Sequence, residues 1–139
     1  MKISRRTTRV GTVLAATAMT VAIASSAPAA AAGGTASCST TGASGSSYTT
    51  NASLWGKADV VLRVSDTLAD GHHVRVRYVT LTNYFATKKW AWHSETGGKG
   101  STLVYNTTAQ DTDQGIANFG VEIARFEGST LLNSCMAWV

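Results

Sequence analysis

Two stretches decide the fold: Val-Val-Leu-Arg-Val-Ser at residues 60–65 and His-Val-Arg-Val-Arg-Tyr at residues 73–78. In both, apolar residues recur at every second position, with mainly polar or charged residues between them, the period of two that a half-buried β-strand requires. The dipeptide Asp70-Gly71 between them is a turn signal. Further strands are predicted at residues 79–81, 89–93, 102–107, 119–123 and 131–138. Since no segment after residue 32 shows the 3.6-residue period of an amphipathic helix, the predicted fold class is all-β.

About seven short strands separated by turn residues are typical of a single antiparallel β-sandwich, Ig-like or related. We predict this sandwich for residues 54–139. Residues 33–53 consist almost entirely of Gly, Ala, Ser, Thr and Asn. Such a composition offers little apolar area to offset the entropy of ordering, so we predict a flexible N-terminal arm there. The arm is either a plain extension or a segment that adds a strand to a partner's sheet.

Residues 1–32 have the three-part layout of a secretory signal peptide. Residues 1–9 are basic, Val10–Ala24 form an apolar run, and small residues follow as far as Ala32. The apolar run is shorter than the roughly 20 residues that a membrane-spanning helix needs. We therefore expect cleavage near Gly33 and a secreted, extracellular protein without a membrane partner after cleavage.

The net charge of +4 belongs to this leader. Four of the 12 basic residues and none of the eight acidic residues lie in residues 1–32, so the remaining chain carries eight of each. Binding a nucleic acid requires many cations to neutralise phosphates. The balanced charge therefore argues against a nucleic-acid partner.

Cys38 and Cys135 are the two cysteines of the chain. After export, a lone pair of cysteines is expected to be oxidised. The pair has neither the C-x-x-C spacing nor the basic neighbours that make a thiol reactive. We predict a structural disulfide that links the two ends of the domain.

The polar residues form no catalytic or metal-binding motif. The histidines His72, His73 and His93 lack the spacing of zinc ligands, since the adjacent pair points to opposite faces of a strand. The acidic segment 111–122 fails as a calcium loop because Ile116 stands at the obligatory glycine position. No nucleophile motif of a hydrolase is present. We predict a non-enzymatic protein without metal or cofactor.

The first candidate binding surface is a basic face made of Arg63, Arg75, Arg77 and His73. These residues alternate with apolar ones, so we expect all four to project from one face of a sheet. That face is either a solvated surface or an electropositive patch for an anionic partner.

The second candidate surface is aromatic and consists of Tyr84, Phe85, Trp90 and Trp92. Two tryptophans two residues apart share one face of a strand. We favour a core position for both, which leaves Tyr84 and Phe85 on a surface turn. If exposed instead, the tryptophans would form a stacking platform for sugar rings or a protein-binding hot spot.

Several short motifs carry a resemblance to known proteins. They are DGHHVRVR at residues 70–77, WAW at 90–92 followed by GGKG at 97–100, and FEG at 126–128 with LLNSC at 131–135. With these motifs the chain resembles small secreted Streptomyces β-domain proteins. More loosely, it is similar to the adaptor subunit of secreted actinobacterial umbrella-shaped toxin particles. That resemblance implies an N-terminal extension joining a β domain to a larger scaffold, and it assigns no residue a catalytic role.

These observations predict a secreted, non-enzymatic module that binds another extracellular protein, and the resemblance implies that it is an adaptor subunit of an extracellular, toxin-like assembly. The contact would be strand addition by the arm or by an open sheet edge, or docking of the basic face. One alternative is a carbohydrate or cell-wall binding module that uses Trp90, Trp92 and Tyr84. Another is an inhibitor of a secreted hydrolase that presents the loop at residues 97–100.

Overall fold

Residues 32–139, which the computed structural model describes, form nine β-strands. The strands are β1 (Ala32–Thr40), β2 (Ala43–Ala52), β3 (Lys57–Asp66), β4 (His73–Leu81), β5 (Thr87–Lys89), β6 (His93–Glu95), β7 (Thr102–Gln110), β8 (Asn118–Glu127) and β9 (Thr130–Trp138). The signal peptide predicted for residues 1–32 lies, apart from its last residue, outside the described residues. A search of the described residues finds no helix of the length and apolarity needed to cross a membrane.

The strands form two antiparallel sheets that pack face to face. The first sheet has the order β1-β2-β3-β7, and the second has the order β5-β4-β8-β9, with β6 also paired to β4. The predicted antiparallel β-sandwich is therefore confirmed, with nine strands in place of about seven. The two strands beyond that number, β1 and β2, come from residues that were not expected to be part of it.

The alternation along each strand sends its apolar side chains between the sheets. Val60, Leu62 and Val64 of β3 are buried on the inner face of the first sheet, as are Val76 and Tyr78 of β4 on the inner face of the second. The hydroxyl of Tyr78 shares a hydrogen bond of 3.1 Å with Thr49 Oγ1 of β2, which satisfies the one polar group of this large core side chain. The period of two thus has the expected cause, a sheet with one face in the core.

The segment predicted as a flexible arm is an ordered part of the sandwich. Residues 33–53 supply most of β1 and β2, a hairpin with a two-residue turn at Thr41-Gly42, where Gly42 has φ +84°. Strand β2 then pairs with β3 from Ala43 to Thr50. The prediction of a flexible arm and the domain boundary at residue 54 are therefore wrong.

Small side chains are what the position of this hairpin requires. The inner face of β1 and β2 includes Ala36, Gly45 and Ser47, and it packs against the bulky side chains of the second sheet. A Cβ atom at Gly45 would clash with the backbone oxygen of Arg63 in β3 and would lie 2.6 Å from Ile123 Cδ1 of β8, so even alanine would be too large there. The low apolar content of the segment reflects close packing against a neighbouring sheet.

The predicted disulfide between Cys38 and Cys135 is confirmed. It joins β1 at the edge of the first sheet to β9 at the edge of the second, with the Cα atoms 6.1 Å apart. On the same flank, Thr40 Oγ1 donates a hydrogen bond of 3.2 Å to Asn133 Oδ1. On this flank, a disulfide and a side-chain hydrogen bond link the two sheets to each other.

Replacing both cysteines by alanine should lower the free energy of unfolding by about 2–5 kcal/mol, because a cross-link over a long loop restricts the unfolded chain. The two cysteines are 97 positions apart, close to the whole described length. Denaturant unfolding measures the effect, with the reduced wild-type protein as the matched control. Equal midpoints for the oxidised protein and the double variant would contradict this expectation.

Burial raises the pKa of Tyr78 to about 12, although its hydrogen bond with Thr49 acts in the opposite direction. A tyrosine in the unfolded chain ionises near pH 10, so Tyr78 contributes stability that is complete below about pH 10 and is lost as the pH rises toward about 12. Between these values the wild-type protein should lose about 2–3 kcal/mol more stability than Tyr78→Phe. Denaturant unfolding at a series of pH values tests this, and parallel losses in both proteins would refute it.

Candidate functional site

The four residues of the predicted basic face do not lie together. Arg63 belongs to β3 and is exposed on the outer face of the first sheet. His73, Arg75 and Arg77 belong to β4 and lie on the outer face of the second sheet, on the opposite side of the molecule. The prediction of one common face is therefore wrong, because the loop at residues 67–72 crosses from one sheet to the other.

Arg77 is engaged by its neighbours on the outer face of the second sheet. Its guanidinium lies 2.7 Å from the buried carboxylate of Glu122. The same carboxylate forms a second ion pair with Lys89 Nζ at 3.2 Å. The same guanidinium lies 4.1 Å from the ring centroid of Trp92. Because this guanidinium already donates to Glu122 and stacks on Trp92, it is not free to turn toward an anionic partner.

Arg75 is held in a similar way. Its guanidinium lies 4.2 Å from the centroid of the Phe126 ring, and its Nε donates a hydrogen bond of 3.0 Å to His73 Nε2. Burial, reinforced by the charge of Arg75, lowers the pKa of His73, so the imidazole stays neutral and can accept this bond. This outer face is a layer of mutually bonded side chains.

Trp90 and Trp92, predicted to share one face, lie on opposite faces of the second sheet. The strand predicted at residues 89–93 is interrupted, since β5 ends before the first tryptophan and β6 begins after the second. Trp90 N donates a hydrogen bond to Tyr78 O of β4, and His93 pairs with Val76. The two residues between them, Ala91 and Trp92, therefore lie opposite the single residue Arg77. One extra residue of this kind is a β-bulge, and it reverses the face of the residues that follow.

The two indole rings have different neighbours. Trp90 packs against the core, where its Nε1 donates a hydrogen bond of 3.2 Å to Thr80 Oγ1 and its ring lies 6.5 Å from Tyr78. Trp92 lies on the outer face, edge-on to Phe126 with ring centroids 5.5 Å apart. Both rings are partly buried, so neither offers the open platform that the carbohydrate alternative needs.

A cleft of about 210 Å³ opens between the sheets on the flank opposite the disulfide. Its walls include Trp90 of the second sheet and Tyr105 of β7, and Leu62 lies at its base. His93 closes one side by stacking on Tyr105 with ring centroids 3.7 Å apart, and burial lowers the pKa of this histidine. Small-molecule sites usually measure about 300–1,000 Å³, so this cleft is too small to be the main candidate.

The candidate site lies at one end of the sandwich, in the loop between β4 and β5. Tyr84 and Phe85 are 70% and 84% exposed, the highest values among the large apolar side chains described. The turn is closed by two backbone hydrogen bonds, from Thr82 N to Ala86 O at 2.8 Å and from Phe85 N to Thr82 O at 3.0 Å. Phe85 has φ +62°, in the left-handed region, which costs a residue with a Cβ atom about 1–2 kcal/mol.

Two further loops meet this turn. The loop between β2 and β3 presents Leu54 and Trp55, which are 55% and 59% exposed. Asn83 Nδ2 donates to Leu54 O at 3.2 Å, and Asn83 N donates to Gln114 O at 3.0 Å in the loop between β7 and β8. Ile116 N of that loop also donates to Leu54 O at 3.0 Å. We name the surface carried by these loops the aromatic tip: Leu54, Trp55, Tyr84 and Phe85.

The base of the aromatic tip is pinned by Asp111. Lys88 Nζ of β5 lies 2.8 Å from its carboxylate, and Gln114 N donates to the same group at 2.9 Å. The hydrogen bond from Lys88, followed by that from Gln114, lowers the pKa of Asp111. The ion pair joins the loop between β7 and β8 to β5. The tip therefore has an uncharged apolar surface above a base held by an ion pair and hydrogen bonds.

Sequence reasoning included Tyr84 and Phe85 among the candidates but missed Leu54 and Trp55. A local signal was present, since adjacent residues of a strand point to opposite faces and the core face takes only one of two large apolar neighbours. The pair also precedes Gly56 at the point where the alternation of β3 begins. It therefore marked a loop with exposed apolar residues.

Comparisons of the chain with protein families, with curated proteins and with solved structures found no match. Within residues 32–139, no group of three or more His, Cys, Asp or Glu side chains is arranged to hold a metal ion. The function is therefore inferred from the geometry of the aromatic tip, which suits contact with another molecule.

Replacing Phe85 by glycine should raise the free energy of unfolding by up to about 1.5 kcal/mol. Glycine removes the left-handed penalty of about 1–2 kcal/mol. Its greater freedom in the unfolded chain lowers the free energy of unfolding by about 0.5–1 kcal/mol, which offsets part of that gain. Tyr84→Gly is the matched control: Tyr84 is not among the residues with positive φ, so this variant should be less stable than the wild-type protein. Thermal and denaturant unfolding measure both, and a Phe85→Gly protein no more stable than Tyr84→Gly would overturn the interpretation.

Proposed function

We propose that this chain is a secreted, non-enzymatic protein-binding module that contacts its partner through the aromatic tip. The observation that carries the proposal is the exposure of four large apolar side chains on two loops that hydrogen-bond to each other and to a third. The leader-like sequence of residues 1–32 and the disulfide between Cys38 and Cys135 support an extracellular setting.

The composition of the tip favours a protein partner. Tryptophan and tyrosine are enriched among the few residues that supply most of the binding energy of an interface. A cluster of exposed apolar side chains on the surface of a small protein commonly marks a site of interaction with another molecule. The partner should offer a complementary apolar pocket, because the tip itself carries no charged residue.

The hydrogen bonds among the loops supply pre-organisation. A loop that is already ordered loses little conformational entropy when it binds, so more of the contact energy appears as affinity. Phe85 is held in a left-handed conformation that disfavours a phenylalanine, and such strain is found at ligand-binding positions. The turn therefore presents its rings at the cost of some stability.

An adaptor role within an extracellular assembly is consistent with this geometry. Because the N-terminal hairpin is built into the first sheet, we place the contact at the aromatic tip and not at an N-terminal extension. The tip occupies one end of the sandwich, which leaves the flanks and the other end for a second subunit.

The double variant Trp55→Ser with Phe85→Ser tests the proposal. Recovery of partner proteins from culture supernatant with the mature secreted protein should be lost, and the affinity for a recovered partner should fall by a factor of about 30 or more. Tyr48→Ser is the matched control, since Tyr48 is 52% exposed but lies in β2 on the outer face of the first sheet.

Circular dichroism and thermal unfolding show whether both variants keep the fold. Equal partner recovery and equal affinity with the tip variant and the Tyr48 variant would refute the proposal. Retention of protein partners together with loss of binding on a glycan array would assign the tip to carbohydrate instead.

A further inference from the structure

Within residues 32–139, strand β9 is an edge strand that is paired on one side only. Among the described residues its hydrogen-bonding neighbour is β8. Val139 N, just beyond β9, donates a hydrogen bond of 3.0 Å to Phe119 O. Because successive residues of a strand alternate in direction, Trp138, Met136 and Ser134 direct their N–H and C=O groups to the open side. Such a row of backbone groups fits one kind of occupant, another extended strand.

This edge lacks the features that usually prevent strand pairing. Residues 130–138 contain no charged residue and no proline. Edge strands of stable monomers are commonly guarded by charged side chains, proline or a bulge. The bulge in β9 lies beside the hairpin, and the register from Asn133 to Trp138 is regular. The other edge of the same sheet differs, since its short strands carry Lys88, Lys89 and Glu95.

Apolar side chains distinguish β9 from the other uncharged edges, β1 and β7. Five exposed large apolar residues lie on or next to β9: Leu131, Leu132, Met136, Trp138 and Val139. Strand β1 has none, and β7 has Val104 and Tyr105, of which the second is stacked on His93. Pairing at β9 would therefore bury apolar surface in addition to satisfying backbone groups.

We propose that β9 pairs antiparallel with β9 of a second copy of this chain, which extends the second sheet across a two-fold axis. Pairing of this kind sets a strand against its own sequence, so charged residues near the axis would face like charges. A strand without charges and with an apolar strip is complementary to itself. The disulfide at Cys135 holds the strand in place against the first sheet.

This inference concerns a surface separate from the aromatic tip. Trp138 of β9 pairs with Gly120 near the start of β8, so β9 ends at the same end of the sandwich as the tip. Antiparallel pairing would then direct the tips of the two copies toward opposite ends of the dimer. Such a dimer would bind two partner molecules at once and gain avidity for a repeated target.

The mass of the mature protein in solution tests the proposal. Light scattering and sedimentation over a concentration series up to about 1 mM should show a dimer that dissociates on dilution. Ser134→Lys places a charge at the middle of β9, where the two copies would meet, and should weaken dimerisation at least tenfold. Asn106→Lys is the matched control, since it places the same charge at the middle of the uncharged edge strand β7 and should leave the dimer intact.

Hydrogen exchange of the wild-type protein gives a second measurement that does not depend on a variant folding. The amides of Ser134, Met136 and Trp138 should exchange more slowly at concentrations where the dimer forms. A wild-type monomer throughout the series would overturn the proposal, even if β9 captured a strand of another protein. So would a dimer that survives Ser134→Lys, or one that is lost with Asn106→Lys.

Discussion

The structure depends on the packing of two inner sheet faces that differ in side-chain size. Bulky residues such as Tyr78 and Ile123 project from the second sheet, and they require the small residues of β1 and β2 opposite them. At Gly45, the backbone of β3 and the side chain of Ile123 together leave no room for an added methyl group. The same packing fixes which residues of each strand face outward, and it sets the three loops of the aromatic tip side by side.

Features that depend on local pattern could be predicted from the sequence. Alternation at residues 60–65 and 73–78 identified two central strands, and a lone pair of cysteines identified the disulfide. The hairpin of β1 and β2 was missed because its composition was judged by apolar area alone. Its small residues are explained by their packing against the second sheet, whose strands lie far away in the sequence. The local clue was the turn at Thr41-Gly42.

The candidate surfaces were harder to predict because they depend on which sheet each strand joins. Arg63 and Arg75 share a pattern, yet their strands lie in different sheets. Trp92 was misplaced because a single inserted residue reverses the face of a strand, and no residue type marks such a bulge. The aromatic tip combines loops that are distant in the sequence, so local patterns mark its residues one pair at a time and cannot show that the two pairs lie together.

The disulfide has a consequence for the integrity of the folded chain. Cys38 lies in the first strand and Cys135 in the last, so the covalent structure between them is a ring closed by sulfur. An endoprotease that cleaves one loop opens the ring without releasing a fragment, and the strands on both sides of the cut remain tethered and can stay paired. Two cuts between Cys38 and Cys135 are needed before a piece of the ring is shed. This geometry lets the folded molecule survive a first cut within the ring.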